Sequence, residues 1–288
     1  MLAMTVGIVG LGLIGGSIGL ALRDPGRRII GYDPVAKSAE VAKSRFCVDE
    51  IGTFADVARA DVVFVAAPPD SVVSILEQIA KMRAETTVVT DCASIKAQIV
   101  DWAVGSQSTW FVPGHPMAGH EKSGAKYASA WLFRDARWIL TPVTKTDRTA
   151  VRAVEALVKA AGAKPVRLDA SEHDRHVAVL SHLPHVVANA ISAVAEPLTH
   201  HEIGAGSWRD VTRVAGAEPL LWAQILGGNA VAVSAAIDSI IEELRTAQAA
   251  LTNRDQLLTL LYEAKQIKEN EGKRASKEAA KEVAEPEV

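Results

Sequence analysis

The stretch VGIVGLGLIGGSIG, residues 6–19, sets Gly10, Gly12 and Gly15 as G-x-G-x-x-G, directly behind a β-branched run and at the head of an apolar segment. A strand ending at Gly10 can turn sharply there, Gly12 removes the side chain that would obstruct a pyrophosphate, and Gly15 lets helix and strand pack closely. Leu13 and Ile14 open the helix, whose unpaired N–H groups and positive dipole favour an anion. The next strand-like run ends in GYDP, which puts Asp33 about 20 residues on, where a carboxylate can accept from both hydroxyls of an adenosine ribose and repel a 2′-phosphate. The expected cofactor is NAD rather than NADP, although Arg23, Arg27 and Arg28 are near enough in sequence to soften that preference.

Outward from this loop, residues 4–10, 28–33, 61–68, 86–92, 109–113 and 137–143 read as strands, and 14–23, 36–44, 71–82 and 95–103 as the helices between them. A helix over 147–161 and a strand over 164–168 close the alternation. Beyond DASEHDRH, where Asp169 or Ser171 can cap a helix, the pattern is all helical. This predicts an α/β chain: an N-terminal Rossmann-type, doubly wound sheet over 1–167 and an all-helical C-terminal domain over 168–265. The Lys/Glu/Ala-rich end, 266–288, has little apolar stripe and is expected to fray into a disordered tail.

With 288 residues, 49% apolar and 23% charged, and a net charge of -3, the chain can bury two cores and offers no broad electrostatic surface for nucleic acid or anionic lipid. Cys47 and Cys92 show neither metal-ligand spacing nor a disulfide framework, and no basic leader precedes the first strand, so the cytoplasm is the expected compartment. Windows 177–195 and 219–237 carry no Asp, Glu, Lys or Arg. His182, Pro184, His185 and Asn189 in the first, and Gln224, Gly227, Gly228 and Asn229 in the second, fit buried or interfacial helices better than membrane spans. They hold more apolar surface than one small helical domain can hide, so a homodimer through this domain is expected.

Candidate chemistry collects where strands end. VAAPPD brings Ala67 and Pro68 to the rim where the nicotinamide half would lie, and TDCASIK brings Ser94, either a ligand or, like Asp91, a helix cap. In FVPGHPMAGHEKSG, residues 111–124, His115 follows a strand between Gly114 and Pro116. An imidazole there can take a proton from a substrate hydroxyl while hydride leaves the same carbon. Ala178, His182, His185 and Asn189 share one helix face by three- and four-residue steps. His-x-x-His also suits a metal, but no third ligand of suitable spacing accompanies it, so none is expected. Arg213 offers a planar fork for a carboxylate; its alternative is a salt bridge to Asp210 or Glu218.

Together, GLGLIGGSIGLAL, TDCASIK, GHPMAGHEKSG, EHDRHVAVLSHLPH and DVTRVAGAEPLLW resemble the prephenate and arogenate dehydrogenases of tyrosine biosynthesis, from about residue 5 to 260. The resemblance implies an NAD-dependent oxidative decarboxylation of a cyclohexadienol. His115 would engage the ring hydroxyl, Ser94 would bond that hydroxyl and the histidine, and His182 and His185 would line the site. Arg213 would grip the substrate carboxylate, with Arg209, Thr212 and Trp222 at neighbouring positions. Prephenate is preferred to arogenate on the neutral Ser171, expected near the substrate side chain, with dual specificity as the alternative. His120 departs from the Ser or Thr of many relatives and is a candidate for added charge near a carboxylate or for modulating feedback by tyrosine. More distant alternatives are a β-hydroxyacid-type dehydrogenase, which would use a lysine, and a non-catalytic NAD-sensing protein.

Overall fold

The computed structural model describes residues 3–284, with side chains to residue 273. The chain runs β1 (Met4–Val9), α1 (Leu13–Ala21), β2 (Arg27–Tyr32), α2 (Ala36–Ser44), β3 (Glu50–Ile51), α3 (Phe54–Ala58), β4 (Val62–Val65), α4 (Pro69–Met82), β5 (Val88–Asp91), α5 (Ala97–Gly105) and β6 (Phe111–Val112). These strands form one parallel sheet in the order β3-β2-β1-β4-β5-β6, the doubly wound arrangement expected. Alternate residues of its central strands feed opposite faces: Val6, Ile8, Val62 and Phe64 enter one core, Val9, Val63 and Val65 the other. Burial on both faces is why these strands read as continuous apolar runs.

The remaining strands are not in that sheet. After β7 (Gly114–Pro116) come β8 (Arg137–Leu140), α6 (Arg148–Ala160) and β9 (Lys164–Arg167), and β7-β8-β9 make a second, three-stranded sheet with β7 antiparallel to β8. Pro113, which has no N–H to donate, follows β6, and its carbonyl accepts from the N–H of Thr141, the residue directly after β8. His115 therefore lies within a strand, opposite Ile139, rather than in the expected loop.

Helices follow: α7 (Ala170–Val177), a π-helical turn (Ala178–His182), α8 (Leu183–Ala195), α9 (Gly206–Thr212), α10 (Pro219–Gly228), α11 (Ala230–Ala250) and α12 (Arg254–Ala284). Asp169 caps α7 by accepting from Ser171 N at 2.8 Å. The residues up to Val233 form one compact unit and those from Ser234 a second, so the first helices past 167 belong to the same unit as the sheets. In the second unit, α12 continues to Ala284 through most of the segment expected to be disordered; Lys265–Glu269 and Lys268–Glu271 pairs accompany a composition rich in good helix formers. Residues 285–288 of that expected tail lie outside the described residues.

Candidate active site

At the glycine loop, Gly10 adopts φ +91°, and a Cβ there would strike the Ala66 carbonyl. A Cβ at Gly15 would strike the carbonyl of Gly10, whereas one at Gly12 would meet nothing within 4 Å. The turn, the close helix contact and the open approach therefore fall where the spacing assigns them. Leu13 opens α1, whose first turn holds no acidic residue to neutralise its N–H groups. Asp33 does work the sequence did not reveal: its Oδ2 accepts from Leu11 N and its Oδ1 from Val35 N, both at 2.8 Å, so the carboxylate braces the glycine loop. Spare lone pairs remain for a ribose. Arg27 and Arg28 begin β2, at the end away from Asp33, and pair with Leu22 O and Glu50. Arg23 pairs with Asp49. Ala67 and Pro68 join β4 to α4, where Pro69 occupies the first turn.

His115 is 7% exposed. Its Nδ1 lies 2.8 Å from Nε2 of His173, whose own Nδ1 lies 2.7 Å from Asp174 Oδ1. Burial, then the neighbouring His173, Lys96 and His182, hold the His115 pKa well below the usual imidazole value. The strand carrying His115 is fixed by Asp91, whose Oδ1 accepts from Gly114 N at 3.0 Å and whose Oδ2 accepts from Ala93 N and pairs with the fully buried Lys96 ammonium. Neither Asp91 nor Ser94 caps α5: the backbone N–H groups of Lys96 and Ala97 go to Asp174 instead. Half-buried Ser94 lies on this same β5–α5 connection.

His182 and His185 are buried on the π turn and α8. His182 Nδ1 contacts Asn229 Nδ2 at 3.2 Å, and burial lowers its pKa to about 4. His185 stacks on Trp222 with ring centroids 3.6 Å apart, and burial lowers its pKa. The expected stripe stops there: Ala188 and Ala195 continue the buried line, while Asn189 is exposed.

The chain is similar to known proteins over most of its length. The chain matches the nucleotide-binding domain of prephenate dehydrogenase over residues 18–167 and the prephenate dehydrogenase dimerization domain over 169–263. It belongs to the prephenate dehydrogenase family. The prephenate dehydrogenase of Bacillus subtilis is 38% identical over 256 residues, 83% of this chain and 68% of that protein. The solved prephenate dehydrogenase of A. aeolicus, in complex with hydroxyphenyl propionate and NAD+, is 30% identical with a TM-score of 0.86, covering 94% of this chain and 99% of that one. The Synechocystis arogenate dehydrogenase is 30% identical with a TM-score of 0.79, covering 93% and 99%. As a member of this family the chain is an NAD-dependent oxidoreductase, and the open approach at Gly12 fits that cofactor.

The remaining positions singled out in this family member are more exposed. Arg213 follows α9, and its Nη1 meets Glu121 Oε2 at 3.1 Å rather than Asp210 or Glu218. Glu121 sits six residues beyond His115 in sequence, on the loop that also holds exposed His120, which stacks against Tyr127. Arg209 is exposed on α9, and Thr212 donates its hydroxyl to Trp208 O at 2.7 Å. Ser171, at an exposed helix start, donates its hydroxyl to Asp169 Oδ1 at 2.7 Å. Missed from the sequence were His173, Asp174 and Asn229. The stretch DASEHDRH signals a helix start capped at Asp169 or Ser171, but nothing local to it marks His173 and Asp174 as partners of distant groups.

Proposed function

We propose that this chain converts prephenate to 4-hydroxyphenylpyruvate by NAD-dependent oxidative decarboxylation. The observation that carries the reading is the buried set of His115, His173, His182 and His185, gathered between the end of the sheet and the first helices beyond it. NAD+ bound along Gly10, Gly12, Leu13, Ile14, Gly15, Asp33, Ala67 and Pro68 supplies the hydride acceptor. His115 accepts the proton of the ring hydroxyl, and Ser94 bonds the same oxygen. Its depressed pKa keeps the ring unprotonated at neutral pH, ready to act as a base. Arg213 takes the substrate carboxylate at the far end, exchanging Glu121 for it, while the stacked His185–Trp222 pair, with His182, Arg209 and Thr212, shapes the wall. Loss of carbon dioxide makes the ring aromatic and drives the reaction.

The 38% identity to the Bacillus subtilis prephenate dehydrogenase supports prephenate; the Synechocystis likeness keeps arogenate as the second reading. Tyrosine, sharing ring and carboxylate with the substrate, is the proposed feedback ligand, with His120 at the rim. Lys96 is locked in a buried pair with Asp91, which disfavours the lysine-based β-hydroxyacid chemistry. Division at 167 into a cofactor half and a helical substrate half is supported by the extents of the two family matches. A cytoplasmic location goes with this reading, and a homodimer is supported by apolar side chains left open on the helices, among them Leu180 (71%), Val194 (79%), Leu220 (76%) and Val231 (88%), together with the match to a dimerization domain. A single-chain mass by light scattering would remove that proposal. The activity is tested by following NADH formation with prephenate and with arogenate, each with NAD+ and NADP+. Prephenate with NAD+ is expected to be fastest, and no NADH from either substrate refutes the reading.

A further inference from the structure

Several hydrogen-bonded parts of the molecule meet at Asp174. Its Oδ1 accepts from Lys96 N and its Oδ2 from Ala97 N, both at 2.8 Å, and Oδ1 also lies 2.7 Å from His173 Nδ1. Its carbonyl oxygen accepts from Asn229 Nδ2 at 2.7 Å. Asn229 and both side chains of the His173–Asp174 pair are buried, and none has a part in the reaction as described so far.

The donors fix the protons. Backbone N–H groups can only donate, so the carboxylate that receives two of them is an acceptor, and His173 must donate to it from Nδ1. In neutral His173 the other nitrogen then accepts, so the 2.8 Å contact with His115 is donated by His115 Nδ1. That leaves His115 Nε2 as a bare lone pair. On the other branch, Asn229 Nδ2 is identified as a donor by its contact with a carbonyl oxygen, so His182 Nδ1, at 3.2 Å, is the acceptor. The His182 proton therefore resides on Nε2, which is buried without a hydrogen-bond partner among the described residues.

We propose that Asp174 is a positioning residue that sets two histidines of the site in opposite tautomers: through His173 it presents His115 Nε2 as an acceptor for the substrate hydroxyl proton, and through Asn229 it presents His182 Nε2–H as a donor to a substrate oxygen. The identity of that substrate rests on the prephenate dehydrogenase reading; the tautomers do not. When His115 takes the proton, its Nδ1–H bond leads through His173 to an ionised carboxylate, which stabilises the imidazolium. The other groups acting on His115 are Lys96, whose charge is met by Asp91, and His182. A mere cap for α5 would need the two backbone bonds and neither histidine.

Long-range proton–nitrogen correlation spectra of the imidazoles in the cofactor-free full chain, assigned with His115→Gln and His182→Gln, read the tautomers directly. The expected pattern is Nδ1–H for His115 and His173 and Nε2–H for His182; a proton on Nε2 of His115 overturns the proposal. In kinetics, Asp174→Asn is expected to lower kcat on the order of a hundredfold or more, with KM values changing less than about threefold. His173→Gln, whose amide oxygen can still accept from His115, should retain more kcat than His173→Phe. An Asp174→Asn enzyme with unaltered tautomers and kcat also overturns it, and if that variant does not fold, the wild-type spectra decide. Wild-type protein inactive on prephenate and arogenate yet showing the expected tautomers would refute the substrate reading alone.

Discussion

His115 is 7% exposed and tied through His173 to a buried aspartate, whereas the Arg213 side chain is 60% exposed and answered by Glu121 on a loop. The first surroundings hold a ring in one orientation, since moving it breaks buried hydrogen bonds worth about 1–3 kcal/mol each. The second hold a cation in reserve, because an exposed ion pair is worth only about 0–1 kcal/mol and a substrate carboxylate can displace its partner cheaply. Under the proposed function, chemistry falls to the rigid surroundings and capture of the carboxylate to the exchangeable ones.

That contrast breaks most visibly in kinetics. His115→Asn is expected to lower kcat by roughly 10²–10⁴ with little change in KM, since it removes the proton acceptor and leaves the carboxylate grip intact. Arg213→Ala should act mainly on KM, raising it about tenfold to a hundredfold, as loss of a charge-assisted contact of about 1.5–3 kcal/mol implies. Steady-state assays over both substrates check this, and the reverse pattern would undo the assignment of ends.

How each end could be read from the sequence follows the same division of local and distant causes. The glycine loop and Asp33 were legible because strand, turn and helix are neighbours in the chain. His115 was singled out by its setting between Gly114 and Pro116, but its strand was not legible: β7 pairs with β8, and no periodicity can show in three residues. His173 and Asp174 were hidden because their partners lie 58 and 78 residues away, and Asn229 because its partner lies 55 away. In isolation EHD is an ordinary acidic first turn of a helix. Arg213 was legible as a carboxylate fork, yet its salt-bridge partner came from 92 residues away rather than from its own helix.

The rigid end should also leave a mark on stability. Burial holds His182 at about 4, against an ordinary 6.5. Below the ordinary value the unfolded chain binds a proton that the folded site refuses, so stability is lost as pH falls from about 6.5 toward 4, at about 1.4 kcal/mol per unit and on the order of 3 kcal/mol in all. Burial lowers His115 in the same sense. Asp174 adds to this at the acid end: burial opposes its ionisation, but hydrogen bonds from His173, Ala97 and Lys96 hold its pKa below the usual carboxylate value, so its contribution fades as it protonates. Urea midpoints at pH 7.5, 5.5 and 4.5 should fall in that order, and His182→Gln should flatten the slope. An unchanged slope in that variant would remove His182 as its source.

The smallest expected effect sharpens the exchangeable end. If Glu121 merely occupies Arg213 until substrate arrives, Glu121→Gln frees the guanidinium before binding and should lower the substrate KM by no more than about fivefold, the most that an exposed pair of about 1 kcal/mol can return. Salt should shrink the difference, because the competition removed is between exposed charges. kcat should stay put, since among the described residues no hydrogen bond joins Glu121 to His115 or its partners. A large rise in KM would mean that Glu121 aims Arg213 rather than competing for it, and the carboxylate would then belong to the rigid machinery after all.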